Sequence, residues 1–186
     1  MSRLAKGLIQ VYTGDGKGKS TAAWGQALRA AGHGLRVCFV MFLKGDADLG
    51  EVGAAARLAP EISVRQFGAS RAEMASRGGE AWWQAGFNDA DRRMAREGLD
   101  IARAAIASAD YDLVVLDEAN VAMSERLLPV DEMLDAIRAR PAHVEVILTG
   151  RNAPPEVIAA ADLVTEMRAL KHPFDKGVPA RRGIEW

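Results

Sequence analysis

Residues 8–21 read LIQVYTGDGKGKST. An apolar run of strand length passes directly into a turn carrying Gly14, Asp15, Gly16, Lys17 and Gly18, and Lys19, Ser20 and Thr21 then open a helix-forming segment ending at Gly32. A short glycine-rich turn aims successive backbone N–H groups into one concavity, and the helix behind it adds its positive N-terminal end. Strand, loop, Gly-Lys-Ser and helix follow in the order that a phosphate cradle requires. In such a cradle Lys19 reaches phosphate oxygens and the Ser20 hydroxyl is placed for Mg²⁺. Lys17 is an extra cation that contacts phosphate or faces solvent, and the residues leave both open. The spacing departs from G-x-x-x-x-G-K-[ST], because Thr13 stands where the first glycine belongs. A bare glycine-rich turn is the bland alternative.

Further strand-length apolar runs are RVCFVMF (36–42), ISVRQF (62–67), LVVLDE (113–118), VEVILTG (144–150) and a weaker LVTEM (163–167). Several are continuously apolar, as strands buried on both faces should be. Helix-like stretches alternate with them. Residues 88–109 carry Met94, Leu99, Ile101 and Ile106 among charges, 129–140 begin with Pro129 and two acids, and 152–161 offer Asn152 as an N-cap. This alternation predicts an α/β fold: one three-layer P-loop NTPase-like (RecA-like) domain over 1–186 with a mostly parallel central sheet. Ligands of such sheets bind outside the carboxyl ends of the strands. The loop, Asp117 and Glu118 after LVVL, and Thr149, Gly150 and Arg151 then share one edge. A hard cation needs only one or two carboxylates beside triphosphate oxygens. Asp117 and Glu118 point to opposite faces of a continuing strand, so one of them is expected on the metal, the bland alternative being an acid that caps the next helix or pairs with a lysine.

Composition narrows the function classes. The chain has 186 residues, 49% hydrophobic and 26% charged, with a formal net charge of −1, which gives no bulk electrostatic case for nucleic acid or membrane. Cys38 is the only cysteine, so no internal disulfide forms. No apolar stretch reaches membrane-spanning length, and MSRLAKGLIQVYTG lacks a signal-peptide core. The expected location is cytoplasmic.

Taken together, VYTGDGKGKSTAAWGQALRAAGHG, RVCFVMFLKG, DLVVLDEANVAM and VILTGRNAPPEVIAAADLVTEMRALKHPFDKGVPARRGIEW resemble the P-loop type ATP:corrinoid adenosyltransferases. The likeness covers nearly the whole chain, and the ending from Thr149 is its most diagnostic part. That family carries the same shortened loop. The resemblance implies that a corrinoid in the Co(I) state attacks the 5′ carbon of ATP and that triphosphate leaves, in adenosylcobalamin biosynthesis or salvage. It implies triphosphate on Gly14 to Thr21, Mg²⁺ (or Mn²⁺) on Ser20 and Glu118, and nucleotide contacts from Arg29 and Arg151, with a surface ion pair as the alternative for either arginine. It also implies a homodimer served by a flavoprotein reductase. The rival readings are a P-loop ATPase or kinase, or a nucleotide-binding regulatory module without chemistry.

The family pattern after the third strand is a Gly-Phe-Thr-Trp type segment that covers the lower face of cobalt. Here the chain departs from it with QFGASRAEMASRGGEAWWQAGF (66–87). Phe67, Trp82 and Trp83 are the candidate aromatics, and ordinary packing is the alternative for each. The segment ALKHPFDKG, with Lys171 and His172, reads as a substrate-facing loop. Alkylation of Co(I) moves no proton, so His172 is not needed as a base.

Overall fold

The computed structural model describes residues 4–79 and 86–185. Six strands form one sheet: β1 (Ile9–Thr13), β2 (Val37–Phe42), β3 (Ile62–Phe67), β4 (Leu113–Asp117), β5 (Glu145–Thr149) and β6 (Leu163–Glu166). Their spatial order is β3-β2-β4-β5-β1-β6, and every pairing is parallel. The helices are α1 (Lys19–Gly32), α2 (Gly50–Ala56), α3 (Arg71–Ser76), α4 (Asp89–Ala107), α5 (Ala119–Ser124), α6 (Val130–Arg138) and α7 (Pro155–Ala160).

Strand side chains alternate between two cores. Val37, Phe39, Met41, Leu113, Val115 and Ile147 pack on one face under Ala23, Ala27 and Ala30 of α1. Cys38, Val40, Phe42, Val114, Leu116, Val146 and Leu148 pack on the other, against α4 and α6. Because both faces are covered, every residue of β2 and β4 is buried, which is why these strands read as unbroken apolar runs. Each of the larger side chains adds about 2 kcal/mol by leaving water. β6 differs: all four residues are exposed and it forms the sheet edge.

Three local expectations change. α4 presents Ala95, Leu99, Ala102 and Ile106 inward, whereas Ile101 is exposed, because small residues set the close approach of helix to sheet. Asn152 has a left-handed φ of 55° and lies before the helix, and Pro154 takes the N-cap position. Pro129 is likewise an N-cap and not the first helical residue.

Phe67 ends β3, and its ring lies against α4, where a Cβ on Gly98 would come within 3.1 Å of the Phe67 ring and 2.7 Å of Phe42. Gly98→Val is therefore expected to destabilise by about 2 kcal/mol through overpacking. Urea denaturation checks this, and an unchanged midpoint would show that the rings yield freely.

Candidate functional site

The first strand delivers the glycine loop to the carboxyl edge of the sheet. Gly14 and Gly16 are needed there by a close approach: a Cβ on either would fall 2.5 Å or 2.8 Å from the Met167 carbonyl oxygen. Gly16 N–H donates to that oxygen at 2.7 Å, and Met167 N–H donates to Thr13 O at 2.8 Å. The loop is thus fastened to the chain leaving β6. Gly18, with φ of 122°, turns the chain into α1. Lys19 is 9% exposed, and its ammonium donates to Gly14 O (2.6 Å) and Gly16 O (2.8 Å). Burial, and then the neighbouring Arg151 charge, push its pKa down. The ammonium is held inside the loop, where it faces whatever the loop holds.

β5 lies between β1 and β4, so its last residue stands between the loop and the acids. Thr149 Oγ1 donates to Asp117 Oδ1 at 2.6 Å and accepts from Glu118 N–H at 3.0 Å. Asp117 is fully buried. Burial opposes its charge, but Lys44 and the hydrogen bonds it accepts hold the carboxyl below the usual carboxylate range. Glu118 adopts a left-handed φ of 59°, a strained state for a non-glycine residue. Its side chain faces the cavity, and burial pushes its carboxyl up against the Lys44 charge.

A cavity of about 620 Å³ opens over these groups. Gly16, Lys17, Gly18, Lys19, Ser20, Thr21, Glu118 and Arg151 all line it, so the structure brings most of the sequence-derived site together. Arg151 reaches Asp15 across the loop, with Nη2 3.5 Å from Asp15 O and Nε 3.9 Å from Oδ1. Lys17 lines the cavity with a side chain that is 46% exposed. It donates to Ile184 O at 2.7 Å and pairs with Glu185 at 3.2 Å. His172 also lines the cavity, and its Nδ1 accepts from Phe174 N–H at 3.2 Å.

Arg29 is not brought to the loop. Ten residues of α-helix carry it about 15 Å along the axis from Lys19, where its guanidinium donates to Gln26 at 3.1 Å. It lines a separate cavity of about 580 Å³ with Lys6, His33 and Glu145. Arg29→Ala should leave the dissociation constant for ATP within about twofold, since an exposed distant cation contributes little. A tenfold loss in equilibrium dialysis would return Arg29 to the nucleotide. Phe67 ends β3 at the same edge and is partly buried against the core beside Gly98. Trp82 and Trp83 lie outside the described residues.

One member of the site was missed in the sequence. Lys44, just beyond β2, donates to Asp117 Oδ2 at 2.6 Å and Ser20 Oγ at 3.1 Å, and lies 3.8 Å from Glu118 Oε1. Burial opposes its charge, but the two carboxylates raise its pKa further above the ordinary lysine value. Its signal was positional: a polar residue just after an all-apolar parallel strand sits at the ligand edge.

An all-parallel sheet with a glycine loop after β1 and acids after β4 defines a P-loop nucleotide-binding protein. The family model described as "ATP:corrinoid adenosyltransferase BtuR/CobO/CobP" matches residues 5–186. A "Corrinoid adenosyltransferase" of Pseudomonas aeruginosa is 38% identical over 185 residues, covering 100% of this chain and 86% of that protein. "Corrinoid adenosyltransferase CobA" of Salmonella typhimurium is 36% identical over 181 residues, covering 97% and 86%. Among solved structures, the flagellar accessory protein FlaH from Methanocaldococcus jannaschii superposes with a TM-score of 0.56 at 11% identity, covering 88% of this chain and 72% of that one, a likeness of fold alone. The chain belongs to the ATP:corrinoid adenosyltransferase family.

Proposed function

We propose that this domain, taken as residues 1–186, holds ATP on the loop Gly14–Thr21 and transfers its 5′-deoxyadenosyl group to the Co(I) centre of a corrinoid, releasing triphosphate. The observation that carries the reading is the convergence of the glycine loop, Lys19, Ser20, Glu118 and Arg151 on one cavity, in a chain of this family.

The chemistry asks for charge stabilisation and no proton transfer. As the C5′–O bond breaks, negative charge grows on the leaving triphosphate. Fixed loop N–H groups, the α1 N-terminus and Lys19 meet that charge without reorganising. Arg151, at the mouth of the loop, adds a second cation there.

The residues also fit a hard cation. Ser20 Oγ and the carboxylates of Asp117 and Glu118 surround one point, which the Lys44 ammonium marks in this structure. Among the described residues no group of three or more His, Cys, Asp or Glu could hold a metal ion, and the two carboxylates here leave most of an ion's coordination to water or nucleotide oxygens. When bound, Mg²⁺ would neutralise triphosphate charge. Ser20 and Glu118 are its ligands in this reading, because Asp117 is fully buried and holds Thr149.

The partner reading is a second copy of this chain. β6 is an edge strand with both faces exposed, and Leu170, Phe174 and Ile184 of the following segment are 88%, 70% and 58% exposed. Light scattering should give twice the chain mass; a monomer at micromolar concentration would remove this part. Electrons for the cobalt come from a flavoprotein reductase, on the strength of the family resemblance. No helix among the described residues is long and apolar enough to cross a membrane, and the single buried cysteine fits the proposed cytoplasmic setting.

The test is direct. Purified protein with ATP, Mg²⁺ and chemically reduced cobalamin should form a Co–C bond, read in the visible spectrum, with one triphosphate per corrinoid. Orthophosphate release from ATP without corrinoid, and no Co–C product, would instead support the ATPase reading.

A further inference from the structure

Lys44 occupies a position that the metal reading assigns to a divalent ion. Its ammonium touches the Ser20 hydroxyl and Asp117, and stands 3.8 Å from Glu118. The backbone pins it there. Leu43 turns out of β2 with a left-handed φ of 60°, and its N–H donates to Phe67 O at 2.8 Å. Gly45 and Gly68 let the two strand ends press together: a Cβ on Gly68 would fall 2.2 Å from Lys44 N, and one on Gly45 2.1 Å from Gly68 O. The side chain therefore leaves a fixed point and runs to the carboxylates. An ammonium and a divalent cation cannot share the gap between Ser20 and Glu118, because like charges that close repel strongly in a partly buried site.

We infer that Lys44 is a resident cation that fills the metal position in the nucleotide-free protein and gives it up only to Mg²⁺ arriving with the triphosphate. The inference rests on Ser20 and Glu118 being the metal site. Without Lys44, the loop hydroxyl and two carboxylates would form an oxygen site able to take a metal by itself. With Lys44, the positive charge that Asp117 requires is present before substrate binds. Metal then enters as the nucleotide complex and is not stored in the empty site. Lys44 is a positioning residue in this scheme: it keeps Asp117, Glu118 and Ser20 gathered around a positive centre.

The test uses Mn²⁺ alone, read as loss of the free-ion EPR signal, on the full chain without nucleotide. Wild type and Lys44→Arg, which keeps the charge, should bind no Mn²⁺ at millimolar concentration. Lys44→Met should bind one Mn²⁺ per chain at least about tenfold more tightly, since the repelling charge is gone. Equal binding by wild type and Lys44→Met, or binding by neither, overturns the inference. If Lys44→Met melts without cooperativity in EDTA, restoration of a sharp melt by Mn²⁺ supports the inference, and failure to restore it counts against it. A separate arm with ATP reads the underlying site: wild type should bind Mn²⁺ with ATP, and Glu118→Gln should weaken that binding. Failure of this arm alone removes the metal site, whereas success here with no change in Lys44→Met removes only the role of Lys44.

Discussion

Lys19→Ala is expected to lower the rate of adenosyl transfer by about 10³-fold, with cobalamin and ATP both saturating. The side chain is nearly buried and its ammonium lies within the loop, on Gly14 O and Gly16 O. Those carbonyls hold it in place before the substrate arrives, so it meets the leaving triphosphate with little reorganisation. Removing one preorganised donor from a site of growing charge typically costs 10²–10³ in rate, and loss of a full positive charge belongs at the upper end of about that range. The loss should fall on the rate constant more than on ATP affinity, because the charge on the α end grows only as the bond breaks. Single-turnover spectra of Co–C bond formation measure it. Activity within a few-fold of wild type would show that the loop does not hold the leaving group.

Asp117→Ala is expected to destabilise the fold by about 3 kcal/mol, the lower end for breaking a buried charged pair. The carboxylate is fully buried, accepts from Thr149 and Lys44, and joins the ends of β4 and β5 to the second residue beyond β2. Lys44 is 24% exposed and can turn toward cavity water once unpaired, which keeps the cost from being larger. Asp117→Asn retains the shape and one acceptor, so about half that loss is expected. Urea unfolding of the three proteins checks the order. A midpoint for Asp117→Ala equal to wild type would mean that Asp117 has no structural duty and is free to act as a metal ligand.

Much of this was legible in the chain, for physical reasons. β2 and β4 are buried on both faces, so their apolar runs are unbroken and strand-like. The glycine loop and the Asp-Glu pair fall at strand ends, where an all-parallel sheet must gather them. Short helices were less visible. α2 has seven residues with two glycines, and α3 and α5 have six each, too few for a helical period to show. Arg29 enters the expected site through the family resemblance, whereas a straight helix sets it ten residues along the axis from Lys19. For Lys17 the loop alone leaves phosphate and solvent both open, and its partners in the structure come from residues 184 and 185 at the far end of the chain. Lys44 was overlooked because its meaning depends on register: Met41 pairs with Asp117, which brings the residue three places on beside the acids. No local pattern states that pairing.

The central claim is that the loop holds triphosphate as a leaving group, so the bond that breaks joins C5′ to oxygen. ATP labelled with ¹⁸O at the oxygen bridging C5′ and the α-phosphorus tests this in a single turnover with reduced corrinoid. The account predicts that all the label leaves in intact triphosphate and that none stays with the adenosyl group. Cleavage between phosphates, seen as labelled ADP or AMP with released phosphate or pyrophosphate, would contradict it.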